Sequence, residues 1–148
     1  MLAPDADVLG FGAGIPYEHL LGHRGLSHSV AFAAVVAMLV ARFAFAEESW
    51  RGERLRIGIF VFIATASHGL LDAMTTGGLG IAFLSPFSNA RYFLPWRPIE
   101  VSPLSVSSFI SGRGLEILAS EARWVWLPAA AMAATALILR ARRAARPA

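Results

Sequence analysis

Three long runs of apolar residues, separated by shorter polar stretches, dominate this chain. The runs cover residues 26–46, 55–74 and 124–139. A helix needs about 20 mostly apolar residues to cross the hydrocarbon core of a bilayer, so each run is a candidate membrane span. The runs are imperfect, because the first contains Arg42 and the second contains His68 and Asp72. The pattern predicts an all-α protein with about three transmembrane helices, or alternatively a soluble bundle of very apolar helices.

The composition favours the membrane over the soluble bundle. Hydrophobic residues make up 56% of the 148 residues and charged residues only 16%, against about 25% charged in ordinary soluble domains. Trp124 and Trp126 stand at one end of the third run, as in the aromatic belt of a membrane interface. We therefore predict a single membrane-embedded, multi-pass domain over residues 1–148, located in the cell (inner) membrane. Residues 79–103 are rich in proline and aromatic side chains, so we predict that they form an irregular loop. Residues 116–121 are predicted to form a short amphipathic helix that leads into the third run.

All thirteen basic residues are arginine, and most of them flank the apolar runs. Three lie in the connection between the first two runs and at the very start of the second, and four follow the third run: Arg51, Arg54, Arg56, Arg140, Arg142, Arg143 and Arg146. Because basic loops stay on the cytoplasmic side, we expect both stretches, and hence the C-terminus, to be cytoplasmic. Residues 1–25 and 75–123 are then external. The terminal arginines directly follow an apolar run, so we interpret them as a contact with anionic membrane lipid and expect no direct binding of nucleic acid.

The absence of cysteine and lysine limits the available chemistry. It excludes disulfides, thiolate nucleophiles, Cys-ligated metal sites and Schiff-base lysines. The scarce histidines and aspartates lie in three motifs: Asp5 and Asp7 in PDAD, His23 and His28 in HRGLSHS, and His68 and Asp72 in SHGLLDAMTTGG. His68 and Asp72 are four residues apart, so they share one helix face. The predicted topology brings all three motifs to the external side of the membrane.

A set of histidines and carboxylates without thiolates suits a divalent metal ion, with zinc preferred and manganese or iron as alternatives. Such an ion lowers the pKa of a bound water and supplies a hydroxide for hydrolysis. Arg24 is suited to neutralise charge that develops on a phosphate. Ser27 and Ser29 flank His28, but no G-x-S-x-G elbow is present, so serine catalysis is the weaker enzymatic alternative. His19 lies in a polar loop and is interpreted as solvated.

These motifs carry a resemblance to a known family. PDADVLGF, GHRGLSHS and SHGLLDAMTTGG, together with SPFSNARYFLPWRPIEVSPLS, GRGLEILASE and WVWLP, are similar to segments of the YdjM-like (YbcI-like) membrane-bound, metal-dependent hydrolases. That family is also described as inner-membrane-associated and LexA-binding. The resemblance implies a multi-pass helical membrane protein whose motif aspartates and histidines are metal ligands. Relatives carry an apolar helix ahead of the PD-x-D motif, whereas Met1 and Leu2 lead straight into it here, so we expect the family's first helix to be missing.

The leading hypothesis is a membrane-bound, metal-dependent hydrolase that acts on a phosphoester or a lipid-borne ester at the external membrane face. The predicted metal ligands are Asp5, Asp7, His23, His28, His68 and Asp72, and catalytic roles are predicted for Arg24, Asp7 and His28. The alternative is a non-enzymatic scaffold that recruits a soluble regulatory partner of the LexA type through residues 51–56 or the C-terminal tail. Transport is a third, weaker interpretation, since few charged residues lie within the apolar runs.

Overall fold

The computed structural model describes residues 3–103 and 106–145. The chain divides into two compact units, Met1–Arg97 and Pro98–Ala148. Across the described residues the secondary structure is helical, with no β-strand and one isolated antiparallel bridge between Ile81 and Tyr92. The predicted all-α class is therefore confirmed, whereas the single domain stays a prediction.

The first unit begins with short turns and contains two long apolar helices. In chain order it comprises a 3₁₀ turn Pro4–Val8, helix α1 (Leu9–Gly12), a 3₁₀ turn Leu26–His28, helix α2 (Val30–Leu39) with a π-helical extension Val40–Ala44, a 3₁₀ turn Glu48–Trp50, and helix α3 (Arg54–Ala73). Helix α2 begins later than predicted because Ser29 caps it, its hydroxyl accepting the Phe32 N–H at 3.0 Å. His28 therefore lies in the turn ahead of the helix.

Helices α2 and α3 pack against each other through small side chains. Ala33 and Ala37 are buried on α2. On α3 every fourth residue is buried: Val61, Thr65, Gly69 and Ala73. Small residues allow helix backbones to approach closely, which is the usual solution between helices in a membrane. This close packing brings the start of α2 beside the end of α3.

The proline-rich segment 79–103 has no helix, as predicted, and backbone hydrogen bonds tie it to the same end of the two helices. The Val30 N–H donates to the Phe83 carbonyl at 3.1 Å, and the Ala82 N–H donates to the Arg24 carbonyl at 3.1 Å. The Leu94 N–H donates to the Ala73 carbonyl at 2.9 Å. Residues 82–94 of this segment therefore cover the region where α2 begins and α3 ends.

The second unit contains α4 (Val106–Ser111), α5 (Gly114–Glu121), a π-helical turn Ala122–Trp126 and α6 (Leu127–Ala144). The last three form one continuous helix, Gly114–Ala144, of 31 residues. The predicted amphipathic helix is thus present, and it runs directly into the third apolar run as expected. None of the residues of α6 is buried.

Two helices, Arg54–Ala73 and Gly114–Ala144, are long and apolar enough to cross a membrane, and the apolar Val30–Ala44 is shorter. The prediction of about three spans is therefore supported in part.

Candidate metal centre

The three motifs converge within the first unit, beside the residues where α2 begins. Asp5 and Asp7 come from the first 3₁₀ turn, His28 ends the turn before α2, and His68 and Asp72 lie in the last turns of α3. The approach of α3 to His28 requires a glycine, because a Cβ at Gly69 would lie 2.8 Å from the His28 carbonyl oxygen. All six predicted ligands meet here, in two groups that share His28.

The first group consists of Asp5, His28, His68 and Asp72, and one ligand atom of each lies within 4.8 Å of all the others. His68 Nε2 is 3.1 Å from Asp5 Oδ1 and 3.6 Å from Asp72 Oδ2. His28 Nε2 is 3.2 Å from Asp72 Oδ2 and 3.5 Å from Asp5 Oδ1. Two imidazoles and two carboxylates therefore point at a common centre.

The second group surrounds the Asp7 carboxylate with nitrogen and hydroxyl groups. Its Oδ1 lies 2.6 Å from His23 Nδ1. Its Oδ2 accepts hydrogen bonds from the Arg24 backbone N–H at 3.1 Å and from the Ser27 hydroxyl, and it lies 3.2 Å from His28 Nδ1. Both oxygens of Asp7 are therefore already engaged by protein groups.

His28 has a different environment at each of its two ring nitrogens. Nδ1 faces Asp7, whereas Nε2 is buried and has no hydrogen-bond partner among the described residues, although it faces Asp5 and Asp72. An imidazole that ligates a metal through one nitrogen and donates the other N–H to a carboxylate shows this asymmetry. Within the described part of the chain Nε2 has only ion-pair contacts, 3.2 Å to Asp72 Oδ2 and 3.5 Å to Asp5 Oδ1, and a metal ion would supply this buried nitrogen with a bonding partner. The residues of the first group therefore fit a divalent metal ion.

The carboxylates of the PDAD motif are held in their charged form. Burial alone raises the pKa of Asp5, but the imidazoles of His28 and His68 that face this carboxylate outweigh burial and hold that pKa well below its usual value. Burial acts in the same direction on Asp7, and hydrogen bonds from His23, His28 and Ser27 lower its pKa well below the usual value. Ionised carboxylates are the form that binds metal.

Arg24 is buried and has a left-handed backbone conformation, with φ +63°. Its Nη1 donates to the Thr75 hydroxyl at 3.2 Å and to the Gly77 carbonyl at 2.9 Å, and its Nη2 lies 3.6 Å from Asp72 Oδ1. The guanidinium thus joins the loop after α3 to a carboxylate of the first group. Its predicted role toward a phosphate stays a prediction.

Arg91 is a residue that the sequence interpretation missed. Its guanidinium donates to the Tyr17 carbonyl at 2.8 Å and to the His23 carbonyl at 3.0 Å, and it stacks 5.5 Å from the centre of the Tyr17 ring. The signal that the sequence offered for this role was the position of an arginine within the aromatic, proline-rich loop. His19 belongs to neither group, and its Nδ1 accepts the Leu21 N–H at 3.1 Å.

Comparison with known proteins agrees with the motifs. The family model described as YdjM inner membrane protein matches residues 1–145. The inner membrane protein YbcI of Escherichia coli (strain K12) is 42% identical over 128 residues, which cover 86% of this chain and 72% of that protein.

The chain belongs to the YdjM family of inner membrane proteins. The resemblance stated from the motifs is thereby confirmed. The names of this YdjM-family model and of YbcI state a location in the inner membrane and no enzymatic activity. No solved structure matches the chain.

Proposed function

We propose that this YdjM-family chain is a membrane-bound, metal-dependent hydrolase that acts on a phosphoester or a lipid-borne ester. One observation carries the proposal: ligand atoms of Asp5, His28, His68 and Asp72 lie within 4.8 Å of one another around the buried Nε2 of His28, which makes no hydrogen bond to the described residues. Partly buried ionisable groups that converge in this way are typical of functional sites.

Asp5, His28, His68 and Asp72 would hold the ion. Nitrogen and carboxylate oxygen donors without sulfur favour zinc and also suit manganese or iron. When bound, such an ion lowers the pKa of a coordinated water toward neutrality and so makes hydroxide available near pH 7.

In our proposal Asp7 and His23 do not bind the ion but support the residues that do. His28 Nδ1 lies 3.0 Å from Ser27 Oγ and 3.2 Å from Asp7 Oδ2, and donation from Nδ1 to these oxygens fixes the tautomer that leaves Nε2 free for the ion. His23, Ser27 and the Arg24 N–H hold the Asp7 carboxylate in place. Arg24 positions Asp72 and adds positive charge beside the site, which favours an anionic substrate.

We further propose that the site faces the external side of a multi-pass protein. Arg54 and Asp72 stand 18 residues apart on α3, about 27 Å at the α-helical rise of about 1.5 Å per residue. The arginines near the start of α3 and the metal ligands near its end thus belong to opposite faces of a bilayer. Basic residues remain cytoplasmic, which supports an external site.

The decisive experiment is metal analysis of purified protein, comparing the wild type with a His68→Ala, Asp72→Ala double variant. The wild type is expected to retain bound zinc, manganese or iron, and the double variant to lose it. His19→Ala is the matched control, since His19 is exposed and outside both groups. Equal metal content in the wild type and the double variant would refute the site.

Recruitment of a soluble partner remains the alternative prediction. Residues 51–56 carry the arginines expected to contact that partner, but Arg51 and Arg56 form exposed ion pairs with Glu48 and Glu53. Those glutamates reduce the positive charge that the stretch offers to an acidic partner. Loss of partner binding in an Arg51→Gln, Arg56→Gln variant, with the histidine and aspartate variants unaffected, would favour recruitment.

A further inference from the structure

An apolar cavity of about 310 Å³ lies beside the candidate metal centre. Its wall is formed largely by one face of α3, including Phe62, Ala66 and Leu70, and is completed by Phe83 of the proline-rich loop and by His28. The volume is at the lower end of the range of about 300–1,000 Å³ found for small-molecule sites. It is therefore large enough for a slender ligand.

The chemistry of the wall selects an apolar occupant. Ser67 also lines the cavity, but its hydroxyl already donates to the Ala64 carbonyl at 3.0 Å. Among the lining residues His28 alone carries an ionisable side chain. A polar headgroup would therefore lose its hydration in this cavity without gaining partners, whereas a hydrocarbon chain loses nothing.

The cavity connects two environments. His28 belongs both to its wall and to the first metal-ligand group, so one end adjoins the polar site. Two other wall residues, Ile63 and Leu70, are 59% and 47% exposed, on a helix long and apolar enough to span a membrane. A lipid chain can thus enter sideways from the bilayer while its headgroup remains at the ligands.

We propose that this cavity binds one hydrocarbon chain of a lipid substrate, whose anionic ester group lies at the metal centre. The proposal rests on the function proposed above and adds the substrate class: a lipid rather than a water-soluble phosphoester. The cavity then explains why a hydrolytic site would be built at the end of a membrane-spanning helix.

Photolabelling of the full chain in phosphatidylcholine nanodiscs tests the assignment. The probe is dodecyl phosphate with a diazirine at the end of its chain, and labelled residues are located by mass spectrometry. We expect labelling of residues 62–70 and of Phe83 to exceed labelling of α6 by about tenfold, equivalent to about 1.4 kcal/mol. Uniform labelling of α3 and α6 would indicate ordinary boundary lipid and would overturn the proposal.

Two further measurements distinguish a bound substrate from bulk lipid. A dodecanol probe with the same diazirine lacks the anionic group, so we expect it to label the cavity about tenfold less. Equal labelling by the two probes would overturn the assignment to a substrate. An excess of unlabelled dodecyl phosphate should abolish the labelling, and an equal concentration of inorganic phosphate should not.

A variant that fills the cavity provides the structural control. Ala66→Trp should reduce labelling of the cavity to the level of α6, whereas Ala130→Trp, on the exposed α6, should leave it unchanged. Metal content is measured on the same samples. Metal retained with uniform labelling refutes the lipid cavity alone, whereas metal absent from the wild type refutes the hydrolase. If Ala66→Trp does not fold, the wild-type labelling pattern and the dodecanol arm still decide the question.

Discussion

The two sides of the His28 ring show how the two aspartates of one short motif come to lie in different environments. On the Nε2 side, Asp5 faces a centre shared with His68 and Asp72 and is only partly enclosed. On the Nδ1 side, both oxygens of Asp7 are engaged by protein groups. In the proposed site, one aspartate is thus available to an ion, while the other orients the imidazole.

The difference arises from the 3₁₀ turn that carries both aspartates. With three residues per turn, side chains two positions apart project about 120° apart around the axis. Asp5 and Asp7 therefore cannot point at the same centre, even though the PDAD sequence makes them look equivalent. The predictions below test whether the two sides of His28 differ as the geometry requires.

The largest effect is expected on the Nε2 side. Asp5→Asn keeps the shape of the side chain but removes a ligand charge. Loss of a supporting partner costs about 10–100-fold in metal affinity, so loss of a ligand is expected to cost more than about 100-fold. Zinc affinity is measured by competition with a chelator. Glu18→Gln, an exposed acid outside both groups, is the control, and wild-type affinity in Asp5→Asn would contradict the assignment.

A smaller effect is expected from the same substitution on the Nδ1 side. Asp7→Asn weakens the orientation of His28 without removing a ligand, so zinc affinity should fall by about 10–100-fold with the stoichiometry unchanged. The same chelator competition, combined with elemental analysis at saturating zinc, measures both quantities. If Asp7→Asn abolishes a second equivalent of zinc, Asp7 is a ligand and the two sides of His28 are alike.

The close approach of α3 to the His28 backbone provides the next test. An alanine at position 69 would place its Cβ 2.8 Å from the His28 carbonyl, so Gly69→Ala should destabilise the fold by about 1–3 kcal/mol. Gly58→Ala is the matched control on the same helix, since its Cβ would make an ordinary 3.6 Å contact with Ala41. Thermal unfolding in detergent should show a lower midpoint for Gly69→Ala alone. Equal midpoints would mean that α3 does not approach His28 this closely.

The smallest effect is expected at the opposite end of α3. Arg56 pairs with Glu53 at the surface, 2.9 Å apart, and such exposed pairs contribute about 0–1 kcal/mol. Arg56→Gln should therefore leave zinc affinity unchanged and shift the thermal midpoint only slightly. A loss of zinc in this variant would show that the metal centre depends on the whole helix rather than on the residues around His28.

Much of the fold followed from local sequence. The second apolar run, predicted over residues 55–74, forms the helix Arg54–Ala73, and the proline-rich loop lacks helix as expected. The scarcity of histidine and aspartate in an apolar chain also identified the residues that meet around His28. Local patterns could not predict that Arg91 would bind the Tyr17 and His23 carbonyls, because those contacts join residues 74 and 68 positions apart.

The sequence by itself determined the apolar helices, the arginine-rich stretches and the residue types available for chemistry, because these depend on composition and on local periodicity. The tertiary structure decided how the six candidate ligands divide between the two sides of His28. It brought His68 within 3.1 Å of Asp5, 63 positions away, by packing small residues of α3 against α2 and against the turn before it. That division depends on the direction of each side chain in three dimensions, which the spacing of residues along the chain does not specify.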